Sequence, residues 1–109
     1  MSESEFLALA EATLDAIEAA LDRLNDADQL DVECSRSGNV LEIEFVDNGS
    51  KIIVNSQAPM QELWVAAKSG GFHYKRVGDQ WLNTRDSSEL FAALSTMASG
   101  QAGATVVLA

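Results

Sequence analysis

The chain has 109 residues, 47% of them hydrophobic, which suits one folded domain (1–109) around a single core and argues against disorder. Its formal charge of −10, from 17 acidic and 7 basic residues, opposes binding to a nucleic-acid backbone or an anionic membrane surface and favours cations and basic protein surfaces. A single cysteine, Cys34, and a single histidine, His73, exclude an internal disulfide and a closed Cys/His zinc site.

No apolar run approaches membrane-spanning length. The opening MSESEF lacks the basic and apolar regions of a secretory signal, so a cytoplasmic location is the expectation. Ser4 to Leu24 carries the helical period, with Phe6, Leu9, Thr13, Ile17, Leu21 and Leu24 on one stripe and Ser2 or Ser4 as cap. On the opposite side Glu11, Asp15, Glu18 and Asp22 return to nearly the same angle and make a row of carboxylates. Like charges at this spacing destabilise an isolated helix by roughly a few tenths of a kcal/mol per pair.

A polar loop, Asn25 to Gln29, leads to a strand from Leu30 to Ser35 in which Cys34 alternates inward with Leu30 and Val32, as a small core residue. Arg36-Ser37-Gly38-Asn39 has turn chemistry. Val40 to Val46 alternates again, with Leu41, Ile43 and Phe45 inward, and Asn48-Gly49 signals a hairpin into the third strand. Lys51 to Ala66 reads as two strands joined by a link holding Pro59, with Trp64 facing away from Leu63 and Val65. Lys68 to Gly71 is a turn, Phe72 to Val77 a fifth strand and Trp81 to Asn83 a short sixth, with Trp81 partly buried near the second helix. Asp86 and Glu89 form a capping box for a helix from Ser87 to Ser99, with Leu90, Phe91, Leu94 and Met97 buried and Gly100 as stop. The apolar tail Thr105 to Leu108 is expected to dock.

Helices at both ends of five or six strands at hairpin spacing predict an α+β two-layer sandwich, with both helices on one face of an antiparallel sheet. The open face then carries Asp31, Glu33, Glu42, Glu44, Lys51, Ile53, Asn55, Glu62 and Trp64. An indole among polar neighbours either packs beneath the Pro59 link or anchors a partner.

Catalysis is not indicated. The serines lack a G-x-S-x-G context, His73 belongs to no triad and reads as an ordinary strand residue, and no helix follows Gly70-Gly71 to cradle a phosphate. The acidic row, joined by Asp26, Asp28, Asp31 and Glu33, offers hard oxygen ligands suited to Mg²⁺, Ca²⁺, Mn²⁺ and iron, or is simply a solvated face.

The run Ile53-Val54-Asn55-Ser56-Gln57-Ala58-Pro59, then Gln61, Leu63-Trp64, Gly70-Gly71-Phe72-His73-Tyr74, Trp81 and Arg85, resembles the bacterial frataxins of the CyaY type. The likeness extends to Ser4–Ala10, the turn Asn48 to Ile53, and the closing Gln101-Ala102-Gly103, Thr105 and Val106. It implies the frataxin-like fold and an iron-binding accessory role in iron–sulfur cluster assembly, regulating cysteine desulfurase within its complex with the scaffold protein. It implies weak binding of Fe²⁺ or Fe³⁺, with other divalent cations as substitutes, at Glu18, Asp22, Asp26, Asp28, Asp31 and Glu33. It further implies a protein-contact face at Glu44, Asn55, Gln57, Gln61 and Trp64. Against the family pattern, Ala19 and Arg23 follow Glu18 and Asp22 where paired acids are usual, and Ser87 replaces a glycine. The expected state is a non-enzymatic monomer without metal. The alternatives are an iron-oxidising or iron-storage protein that oligomerises on loading, and an acidic adaptor without a metal role.

Overall fold

Ser2 opens the first helix: its Oγ accepts from the Glu5 amide at 3.1 Å, satisfying one of the unpaired donors at the helix start. The computed structural model describes residues 1–108, and Ala109 lies outside the described residues. The elements run α1 (Glu3–Asp26), β1 (Val32–Ser37), β2 (Val40–Phe45), β3 (Lys51–Gln57), β4 (Glu62–Ala67), β5 (Gly70–Val77), β6 (Gln80–Asn83) and α2 (Leu90–Ala102). A 3-10 turn, Ala58–Met60, lies between β3 and β4, with Pro59 supplying the fixed φ at its start. The strands form one antiparallel six-stranded sheet in the order of the chain, so β1 and β6 are its edges.

Both helices lie on one face of this sheet, giving the expected two-layer α+β sandwich. One apolar cluster joins Phe6, Leu14 and Ile17 of α1, Leu41, Ile52, Val54, Leu63 and Tyr74 of the sheet, and Leu90 and Leu94 of α2. The buried stripe of α1 is broader than a six-residue line and takes in Ala10, Leu14 and Ala20, while Leu9 is half-buried. A helix over a sheet needs a face wider than the narrow seam between two helices.

Several boundaries differ from the sequence expectation for local reasons. Helix α1 includes Asn25 and Asp26, and the Asn25 carboxamide then clamps both backbone groups of Val32, accepting from its N–H at 3.0 Å and donating to its carbonyl at 2.9 Å. Strand β1 therefore starts at Val32 and runs on through Arg36 and Ser37, leaving only Gly38-Asn39 as the turn, with Gly38 at φ +57°. The turn after β4 is likewise shorter than expected, since Gly70 and Gly71 already pair with Ala67 and Ala66.

Helix α2 begins three residues later than the capping-box reading places it. Glu89 is itself the cap, its carboxylate accepting from the Phe91 and Ala92 amides at 2.7 and 3.1 Å. Asp86 instead binds the amide and hydroxyl of Ser88 at 2.9 and 2.7 Å, while Ser87 takes a left-handed φ of 62°. These contacts, with the bridge from Leu82 to Glu89, hold the segment before α2 as a turn laid against β6. The helix passes Gly100 and stops at Gly103, whose φ of 71° suits the left-handed end of a helix. Its fully buried residues are Leu90, Leu94, Ala98 and Gln101, while Phe91 and Met97 are half-buried.

Trp81 is buried beneath the first helix, not half-exposed beside the second. Its ring meets Phe6 edge-on at 5.9 Å and its Nε1 donates to Thr13 Oγ1 at 2.8 Å. The tail docks: Val106 and Leu108 are buried, and Ser99 Oγ bonds both backbone groups of Val106.

Candidate functional site

Two surfaces carry the residues singled out from the sequence. The first is the acidic edge formed by α1 and the edge strand β1. Asp22, Asp26, Asp28 and Asp31 are exposed there, and Asp28 sits at a left-handed φ of 56° just beyond the helix. Asp28 and Asp31 share the mouth of a cleft of about 620 Å³ with Asp47, Asn48 and Gln101. Asp47 joins them from the β2–β3 turn, a neighbour that only the folded chain supplies.

Glu33 alternates with buried Val32 and half-buried Cys34, so it projects from the open face of the sheet, opposite Glu44 on β2. The acidic set thus wraps the sheet edge, with Glu18 and Asp22 on the helix layer and Glu33 on the far side. Among the described residues no three His, Cys, Asp or Glu side chains converge into a group that could hold an ion. Separate, solvated carboxylates of this kind suit weak association with hard cations and give no shaped coordination sphere.

The expected row on α1 is interrupted by a residue assigned from sequence to a turn. Arg36 lies on the inner side of β1 and reaches α1, where its Nη1 donates to Asp15 Oδ1 at 2.8 Å and Glu18 Oε1 at 2.9 Å. Its Nε donates to the Gly38 carbonyl at 3.0 Å. Burial pulls the guanidinium down, but the hydrogen bonds to Glu18 and Asp15 outweigh it and its pKa is raised, so Arg36 stays charged. Cys34 lies half-buried beneath the same row. Burial first, then the charges of Asp22 and Glu18, push its thiol up to about 11, so the thiol form prevails at neutral pH.

The second surface is the open sheet face around Trp64. Register places Asn55, Trp64 and His73 side by side on β3, β4 and β5, and Gln57, Glu62 and Lys75 in the next row. The Trp64 indole stacks on His73 with centroids 4.5 Å apart and planes 9° from parallel. Its Nε1 donates to Glu62 Oε1 at 2.9 Å, and the same oxygen lies 3.3 Å from His73 Nδ1. Glu62, expected to point into solvent, is only 5% exposed. Trp64 covers it from two residues along the strand, and Lys75 Nζ approaches its other oxygen at 3.9 Å.

Trp64 is therefore half-buried, held by a carboxylate at its edge and an imidazole on its face. Of its expected polar surround, Asn55 lies directly beside it and Gln57 one row away. Gln61 points elsewhere: it takes φ 52° after the Pro59 turn and its Nε2 donates to the Met1 carbonyl at 2.8 Å. Glu44 lies across the face, paired in register with both Glu33 and Lys51, while the Lys51 ammonium bonds Glu42 at 2.9 Å.

A two-layer sandwich of two terminal helices on one six-stranded antiparallel meander, with an acidic edge and an aromatic held on the open face, is the architecture of a frataxin-like domain. The frataxin-like domain model matches residues 1–104, and the chain belongs to that family. It is 76% identical over 108 residues to the iron-sulfur cluster assembly protein CyaY of Janthinobacterium sp. (strain Marseille), covering 99% of this chain and 96% of that one. Among solved structures, frataxin from Psychromonas ingrahamii superposes with a TM-score of 0.90 at 30% identity, covering 100% of this chain and 99% of its own. Trimeric frataxin from the yeast Saccharomyces cerevisiae, complexed with ferrous, shares the fold at a TM-score of 0.74 and 22% identity, over 87% of this chain and 86% of its own.

Proposed function

We propose that this chain is an accessory protein of iron–sulfur cluster assembly that gathers iron weakly on its acidic edge and docks on the assembly complex to modulate cysteine desulfurase. Membership of the frataxin-like family, with relatives named for iron–sulfur cluster assembly, carries the assembly role. The iron role is supported by exposed Asp22, Asp26, Asp28 and Asp31, with Glu18 and Glu33 at the two sides of the edge. Iron here is cargo, held by hard oxygen donors that leave its solvation largely intact.

Docking is assigned to two kinds of contact. The acidic edge supplies charge for a basic surface, and Trp64 with Asn55, Gln57 and Glu44 supplies the contact face; Gln61 belongs to this set less directly, through its bond to the N-terminus. No group on the protein is assigned a bond-making role, and the cytoplasm is the compartment proposed. No helix among the described residues is long and apolar enough to cross a membrane.

The deciding experiment is a binding isotherm with purified cysteine desulfurase at rising ionic strength, for the wild type and for a variant carrying E18Q, D22N, D31N and E33Q. Affinity is expected to fall steeply once the Debye length drops below about 10 Å, and to fall further in the variant. Affinity indifferent to both salt and neutralisation sinks the charge-driven model. A parallel Fe²⁺ or Co²⁺ titration followed by backbone NMR is expected to move residues 18–33. No movement at millimolar metal removes the iron role.

A further inference from the structure

We propose that Arg36 is a built-in counter-cation of the acidic edge, occupying Asp15 and Glu18 so that an arriving metal ion is directed to the carboxylates from Asp22 to Asp31. This rests on the reading of the edge as a cation-gathering surface and adds to it a residue that sorts its carboxylates.

The geometry carries the argument. Asp15 and Glu18 are three residues apart on α1, hence neighbours on its surface, and their repulsion would be relieved by any cation placed between them. One nitrogen of Arg36 already fills that place, at 2.8 Å from the first carboxylate and 2.9 Å from the second. The guanidinium is not a loose surface charge. It comes from the helix-covered side of β1, its Nε is tied at 3.0 Å to the Gly38 carbonyl in the adjoining turn, and its side chain is only 21% exposed. The Lys51–Glu42 pair on the open face is the contrast: a single contact at 2.9 Å between side chains 47% and 39% exposed, whereas Arg36 and Glu18 are 21% and 31% exposed and only the Asp15 end, at 67%, stands open to salt.

A cation approaching Glu18 therefore competes with an anchored guanidinium for the carboxylate's charge, whereas Asp22, Asp26, Asp28 and Asp31 stand exposed along the rest of the edge. A planar guanidinium that bridges two carboxylates also leaves less negative charge at the middle of α1 for any basic partner. The consequence is polarity along the edge, with its effective cation-binding end at the α1–β1 loop.

The test uses Ca²⁺, a diamagnetic hard cation, and reads the side-chain carboxyl ¹³C resonances of the folded wild type and of R36Q. In the wild type, Asp22 to Asp31 are expected to shift with Ca²⁺ while Asp15 and Glu18 lag well behind. In R36Q, Asp15 and Glu18 join the response, with apparent affinity there rising about fivefold, the amount two partly exposed ion pairs together withhold. Glu18 responding as fully as Asp22 in the wild type overturns the proposal, and this arm stands even if R36Q fails to fold. Asp15 and Glu18 remaining silent in folded R36Q overturns it as well. Silence at every carboxylate in both proteins overturns the underlying cation-binding reading together with this one, and so separates the two failures.

Discussion

Replacing Glu62 tests whether the buried carboxylate, and not the stacking alone, holds Trp64. In Glu62→Ala the Trp64 Nε1–H loses its acceptor at 2.9 Å in a half-buried setting, a loss of about 1–3 kcal/mol. The contacts to His73 and Lys75 add little, because those side chains are 49% and 59% exposed and the separations are 3.3 and 3.9 Å; solvent screening leaves them roughly a few tenths of a kcal/mol. Removing a carboxylate that is 6% exposed also lifts its desolvation penalty, which offsets part of the loss. The net expectation for E62A is a destabilisation of about 1–2 kcal/mol. Glu62→Gln keeps an oxygen for the indole and should lose less than about 1 kcal/mol. Urea unfolding followed by far-UV circular dichroism measures both, and each kcal/mol corresponds to roughly 4–8 °C in Tm for a domain of this size. E62A matching the wild type, or E62Q losing as much as E62A, refutes the carboxylate's assigned part.

Three further outcomes follow from the same reasoning. With its thiol at about 11 against an ordinary value of 9.0, native Cys34 should present roughly 100-fold fewer thiolates than an unfolded chain at pH 8, so iodoacetamide modification should be correspondingly slow. Because the folded value is the higher one, this group's contribution to stability is fully present below about pH 9 and is lost as pH rises through about 11; equal alkylation rates for native and urea-unfolded protein would contradict this. A chain ending at Ala104 exposes the sites of Val106 and Leu108, each 3% exposed, and should lose at least about 3 kcal/mol, a large part of the usual 5–15. Thr13→Val strands the buried Trp81 Nε1, and a loss of about 1–3 kcal/mol in the same urea assay is expected, while a neutral result removes that hydrogen bond from the account of the core.

Period and punctuation made most of the fold legible. Leu41, Ile43 and Phe45 alternate with Glu42 and Glu44 so regularly that face and register follow from the pattern, and Asn48-Gly49 marks the hairpin that joins them to β3. The acids were legible for the same reason, since four of them recur on one side of α1. Boundaries fared less well where side chains from distant segments decide them. Asn25 sets the start of β1 from the end of α1, and Glu89 caps α2 only because the preceding residues are held against β6. The burial of Trp81 could not be assigned to a helix by reading β6 alone, because its partners Phe6 and Thr13 lie more than sixty residues away.

By itself, then, the sequence determined the two-layer architecture, which sheet face is covered, and the row of carboxylates along α1, because hydrophobic periodicity and charge placement act over a few residues. Tertiary structure alone decided what those charges can do. Arg36 sits in a stretch that reads as a turn, yet β1 carries it beneath α1 and delivers it to Asp15 and Glu18. Glu62 sits on the open face by alternation, yet Trp64 and His73 from the same face close over it. Arg36 reaches across from β1 to α1, and Glu62 is enclosed by Trp64 of its own strand only because His73 of β5 stacks on that ring; the free energy of a charge depends on its neighbours and its access to water, which only the folded chain supplies.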